Sequence, residues 1–140
     1  LRAIETLSKL GVPVGIMNAP IIPGLNEQEI PAVVRLAADA GARSAGFTVV
    51  RLNGAVGTIF HAWLYKYFPD RAAKVWNKVK AMHNGNVNDS EFGRRVRGSG
   101  PIADEIHMLF KSAKKKYMNG GSMPSYRLDK FSKSGTRSLF

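Results

Sequence analysis

Gly11-Val12-Pro13-Val14-Gly15-Ile16-Met17-Asn18-Ala19-Pro20-Ile21-Ile22-Pro23-Gly24-Leu25-Asn26-Glu27 is the stretch on which the fold turns. Within it, residues 12–17 are short, apolar and β-branched, the pattern of a buried strand. Pro20, Pro23 and Gly24 then break the run into a loop. Upstream, Leu1, Ile4, Leu7 and Leu10 recur at helical spacing, and Gly11 suits the positive φ that closes a helix. Downstream, Asn26 is expected to cap a second helix, with Glu29 completing a capping-box spacing. Pro31 removes an amide that the second turn would use, which blurs that start. Ile30, Val33, Val34, Ala37 and Ala38 make the buried face, and Gly41 ends the helix. Residues 45–52 read as a second strand. The order helix, strand, helix, strand predicts two parallel strands joined by a right-handed helical crossover.

After Asn53-Gly54 the alternation stops. Val56, Ile59, Phe60, Trp63, Leu64 and Tyr67 predict an amphipathic helix that Pro69 terminates. A second helix follows with Ala72, Val75, Trp76, Val79 and Met82 inward. Residues 84–100 are polar, glycine-bearing and basic, hence a loop. Pro101 suits the first position of another helix, whose inner face is Ile102, Ile106, Leu109, Phe110, Ala113 and Tyr117. From Asn119 onward no period survives, and residues 119–140 are expected to form a flexible basic tail.

The chain has 140 residues, enough for one modest domain. No stretch approaches the roughly eighteen apolar residues of a membrane span, and no signal-peptide pattern opens the chain. A cytoplasmic location is expected. With zero cysteines, disulfides, thiolate nucleophiles and cysteine-ligated metal centres are excluded for this chain. Two parallel strands need neighbours on both sides and helices on both faces, so the chain reads as the end of a larger α/β domain whose N-terminal half lies upstream.

Charge is skewed. The net charge is +11, and it is unevenly placed. Residues 1–51 hold five basic and four acidic side chains, whereas residues 52–140 hold sixteen and six. A basic half on a near-neutral half is the pattern expected for a polyanion partner; a solvated cationic surface reads equally well.

The loop after the first strand runs from the carboxyl end of a parallel strand into a helix N-terminus, where α/β folds place ligands. Free amides and the helix dipole favour an anionic or polar ligand there. Pro20-x-Ile22-x-Gly24-x-x-Glu27 resembles the G-x-I-x-G-x-x-E pattern of the fifth strand in radical S-adenosylmethionine enzymes, with Pro in place of the first Gly. The wider run from Gly11 to Asn26 looks like the DNA-repair-photolyase-like branch, relatives of spore photoproduct lyase. Ala40-Gly41-Ala42-Arg43-Ser44-Ala45-Gly46, Arg51-Leu52, Phe68-Pro69-Asp70-Arg71-Ala72 and Arg97-Gly98-x-Gly100-Pro101 extend the resemblance, in order, over nearly the whole chain.

The resemblance implies the last two βα units of a partial (β/α)6 TIM-type barrel over residues 1–53. A helical extension over 54–118, with its basic loop at 84–100, would follow. It also implies S-adenosylmethionine and a 4Fe–4S cluster as cofactors of the whole protein. In the family, reductive cleavage of S-adenosylmethionine yields a 5′-deoxyadenosyl radical that abstracts a substrate hydrogen. Clusters need thiolates, so this chain alone is expected to be inactive. Carried over residue by residue, Ile22 would pack against adenine and Gly24 would let the loop approach it. Val50, Arg51 and Leu52 would contact the adenine edge through backbone.

Phe92-Gly93-Arg94-Arg95-Val96-Arg97-Gly98 is the second constellation. Arg94, Arg95 and Arg97, beside glycines and ahead of a Pro-started helix, predict a phosphate-binding loop for the substrate. Lys111, Lys114, Lys115 and Lys116 extend positive charge along the next helix. Tyr117 suits a base-stacking role, but it also fits the apolar period of a core residue. His61, His83 and His107 are scattered and support no metal site. At the end, Ser138-Leu139-Phe140 resembles the terminus of bacterial sliding-clamp-binding peptides, which implies a weak clamp contact through Leu139 and Phe140. Three readings therefore stand: an enzyme portion acting on a nucleic-acid-like substrate, a basic nucleic-acid-binding module, and a truncated gene product.

Overall fold

The computed structural model describes residues 1–119 and 121–130. Helix α1 (Arg2–Lys9) leads into strand β1 (Gly15–Ile21), and helix α2 (Ile30–Asp39) crosses to strand β2 (Ser44–Val49). Helices α3 (Ala55–Tyr67), α4 (Pro69–Met82) and α5 (Pro101–Tyr117) follow. The strands pair in parallel, from Gly15 opposite Ser44 to Ile21 opposite Val49, as the alternation of elements predicts.

Both strands lie later or end sooner than the residue pattern suggests. β1 starts at Gly15, because Pro13 donates no ladder amide, and it continues through Pro20 to Ile21. The proline is carried at a register shift between Asn18 and Ile21, and its peptide bond is cis. A missing amide is tolerated at such an irregularity. β2 stops at Val49; Val50 N still donates to Ile21 O of β1, and Leu52 N turns to the later loop. Asn26 does not cap a helix. Its Oδ1 accepts from Ile22 N at 2.7 Å and its Nδ2 donates to Pro20 O at 3.1 Å, so it closes the loop on itself. A single turn, Glu27–Glu29, intervenes, and α2 starts at Ile30 with Pro31 in its first turn, where a missing amide costs nothing.

Two apolar clusters result. In the first, Ile21, Ala45 and Val49 of the sheet pack with Ile30 and Val34 of α2 and with Ile106 and Phe110 of α5. In the second, Val50 and Leu52 pack with Leu64 of α3 and with Ala72, Val75 and Val79 of α4. Met82, at the end of α4, belongs to the first cluster and ties the two together. α4 and α5 bury the faces their periodicity predicts.

Two helices do not. Leu1, Leu7 and Leu10 of the α1 region are exposed, and α1 buries no residue. α3 buries only Gly57 and Leu64, leaving Val56, Ile59, Trp63 and Tyr67 outward. The stripe gave the right helix in each case, but among the described residues no element covers it. Met17 of β1 is also 65% exposed, so one face of the sheet is open. No helix among the described residues is long and apolar enough to cross a membrane. Leu139, Phe140 and the rest of residues 131–140 lie outside the described residues.

Candidate functional site

The segment between α4 and α5 is laid against the carboxyl end of β2. Val49 N donates to Val96 O and Leu52 N to Val87 O, each at 3.0 Å, and Nε2 of His83 lies 2.8 Å from Val50 O. Val50 N points the other way, to Ile21 O of β1 at 2.9 Å. Successive amides of a strand face opposite edges, so Val96 takes the outer edge of β2. The carboxyl ends of parallel strands are where α/β folds hold ligands, and this segment stands there.

A carboxylate sets its path. Asp89 is buried; it accepts from Glu91 N at 2.9 Å and from Arg94 Nε, while Arg94 Nη2 also meets Glu91 Oε2 at 2.7 Å. The Arg94 hydrogen bond, and after it the Glu91 amide, hold the Asp89 carboxyl below its ordinary range. The same hydrogen bond raises Arg94. Gly98, at φ +69°, then slips the chain past α4 and α5: a Cβ there would stand 3.3 Å from that of Ala103 and 3.4 Å from that of Met82.

The three arginines that read as one phosphate loop part company. Arg94 turns inward to Asp89 and Glu91. Arg95 lies over the Phe92 ring, 5.5 Å from its centroid. Arg97 is exposed and, with His107, lines two adjoining hollows. The first, of about 380 Å³, also takes in Gly93, Arg94, Gly98 and Asp104, so Arg94 borders it while pairing with Asp89. The second, of about 520 Å³, is bounded by Phe47, Met108, Lys111 and Lys114. His107 is fixed in place: its Nε2 lies 3.2 Å from Arg97 O and its ring meets that of Phe47 edge-on at 4.8 Å. Phe47 in turn packs on Phe110 at 4.5 Å. Cations therefore rim an apolar, partly aromatic floor. Such a surface suits a ligand that is anionic at one end and flat and apolar at the other. Tyr117 packs against the first cluster, in line with its period, with Lys116 Nζ 5.1 Å from its ring centroid.

The residues through which the resemblance implies cofactor contact are differently placed. Gly24 has φ +85°, and a Cβ on it would stand 3.1 Å from Cγ2 of Val75, so the surface it approaches closely is α4. Its amide donates to both carboxylate oxygens of Glu27 at 2.8 Å, and Glu27 lies 3.7 Å from Lys78 Nζ. Ile22, Val50 and Leu52 belong to the second cluster, and Arg51 Nε donates to Asn53 Oδ1 at 2.8 Å. The amides of Val50 and Leu52 and the carbonyl of Val50 are engaged by Ile21, Val87 and His83. The chain has no cysteine, so it supplies no thiolate ligand to an iron–sulfur cluster. Among the described residues no three His, Cys, Asp or Glu side chains gather as for a metal ion.

Two residues at the site escape a reading of motifs. His83 is buried with its Nδ1 unpartnered among the described residues. Its signal was helical: it stands four residues after the buried Val79. Asp89, five residues before the arginine it holds, carries no local signal, because the turn that joins them is irregular. A comparison of the chain with protein-family models, with curated proteins and with solved structures finds no match.

Proposed function

We propose that this chain is the C-terminal part of a cytoplasmic radical S-adenosylmethionine iron–sulfur enzyme, and that it holds an anionic, nucleic-acid-like substrate. The observation that carries the substrate reading is the convergence of Arg97, His107, Lys111 and Lys114 on hollows floored by Phe47 and Met108. Beside the ordered resemblance, the open sheet supports the barrel reading. Parallel strands are ordinarily covered on both faces, yet Met17 of β1 and the apolar stripe of α1 are outward. Upstream strands and their cysteines would cover the one and supply the cluster. The Leu139–Phe140 terminus would add a weak sliding-clamp contact.

A second reading, a basic nucleic-acid-binding module without catalysis, is favoured by one observation: α4 is seated on the Ile22–Gly24 loop. One measurement tests the anionic site that both readings share, and a second separates them. Binding of labelled oligonucleotide should weaken steeply with salt, and Arg97→Ala, Lys111→Ala and Lys114→Ala together should flatten the log–log slope by roughly two units. An unaltered slope overturns the anionic-substrate site. In-frame coding sequence upstream of Leu1 with three closely spaced cysteines, and a reconstituted cluster in the longer protein, would favour the enzyme. A start codon immediately before Leu1 would leave the binding module and the truncated gene product.

A further inference from the structure

We propose that Phe92 and Arg95 form a stacking site for an unpaired nucleobase, so that the chain takes single-stranded or locally opened nucleic acid in preference to a closed duplex. The inference rests on the anionic-substrate reading above and adds recognition of the base.

Phe92 is 87% exposed, and its ring carries the Arg95 guanidinium at 5.5 Å. The tip that presents it is held from below. Arg95 N donates to Glu91 O at 2.9 Å, and Arg97 N and Gly98 N both donate to Arg94 O, at 3.0 and 2.9 Å. The buried Asp89 anchors Arg94 in turn. An outward aromatic on a braced turn loses little freedom when it stacks.

The neighbourhood selects the ligand. Gly93, the next residue, lines the first hollow with Arg94, Arg97, His107 and the single acid Asp104, and Arg97 and His107 also line the second with Lys111 and Lys114. Phe92 thus stands beside a track on which basic side chains outnumber the acid. A groove of positive charge that ends on an aromatic platform is the combination by which proteins hold single strands, phosphates on the cations and a base on the ring. An apolar pocket on a protein partner suits this tip less well, since it would strip water from Arg95 along with Phe92. A base stacks on ring and guanidinium together. In a closed duplex both faces of each base are already stacked, so only a splayed base can occupy the site.

The test uses the full chain and fluorescein-labelled oligonucleotides, single-stranded and as closed duplex. The single strand also carries a fluorescent purine analogue whose emission is quenched by stacking. The wild-type chain should bind the single strand more tightly and quench the analogue. Phe92→Ala should weaken single-strand binding about tenfold and abolish the quenching while leaving the salt slope unchanged; Phe92→Trp should keep both. Unchanged affinity and quenching in Phe92→Ala, with the salt slope intact, overturns the stacking site and leaves the cationic track standing. An equal loss on duplex also overturns it. Absence of salt-dependent binding by the wild-type chain removes the track and the stacking site together.

Discussion

The two loops that draw attention in the sequence are built alike and used differently. In the first, residues 22–27, the Glu27 carboxylate accepts the Gly24 amide and approaches Lys78. In the second, residues 84–100, the Asp89 carboxylate accepts the Glu91 amide and pairs with Arg94. Each is a turn closed by one acid. The first is then covered, since α4 brings Val75 against Gly24, and its apolar residues join the second cluster. The second stays open, with Arg97 and Phe92 outward at the end of β2. A phosphate-friendly loop in a sequence can thus serve as a ligand site only where the rest of the chain leaves it uncovered.

The sharpest way to break this comparison is Gly24→Val. A branched side chain at φ +85°, pressed on Val75, should cost roughly 2–4 kcal/mol of stability, from the left-handed backbone and the overpacking together. Urea denaturation reads it; an unchanged midpoint would mean that α4 does not sit on this loop. Glu27→Ala in the same loop should cost less, about 1–2 kcal/mol, for the lost charge-assisted hydrogen bond.

How much of this was legible follows from the range of the interactions involved. Helical stripes in α4 and α5 are local, and their buried faces match the pattern. The identity of the loop-closing groups at residues 22–29 was half legible. Asn26 and a glutamate do close the turn, but Asn26 bonds backward to Ile22 and the acid is Glu27, not Glu29. Spacing alone cannot say which amide an acceptor will find. The three arginines stand close in sequence, yet on an irregular turn successive side chains diverge: Arg94 pairs with Asp89 at the edge of the first hollow, Arg95 stacks on Phe92, and Arg97 lines both hollows. The Val49–Val96 and Leu52–Val87 bonds join residues far apart in the chain and leave no mark on local pattern.

Arg94 and Arg97 give the next test, within the second loop. Arg97→Ala should lower the salt slope by about 0.7, one single-strand phosphate contact, with no change in stability. Arg94→Ala should leave the slope nearly unaltered and instead speed amide hydrogen exchange over residues 89–98, because it strands the buried Asp89. Equal effects on slope would mean that Arg94 turns outward in solution.

The smallest expected effect is on pH. Asp89 titrates lower folded than unfolded, because Arg94 and the Glu91 amide hold its charged form. Its contribution is therefore fully present above the ordinary value of 3.8 and is lost as pH falls through the lower folded value. The loop should keep its exchange protection down to about pH 4 and lose it below, and Asp89→Asn should remove that step. Protection that fades well above pH 4 in the wild-type chain, and persists doing so in Asp89→Asn, would assign the step to another group.

On this reading the second loop faces a nucleic-acid ligand, while the first is half-buried against α4. Titrating the isotopically labelled chain with a short single-stranded oligonucleotide, and following backbone amide resonances, tests it most directly. Salt-sensitive shifts should concentrate at residues 92–98 and 107–114, with residues 22–27 still. Shifts centred on residues 22–27, or none at either loop at low salt, would contradict it.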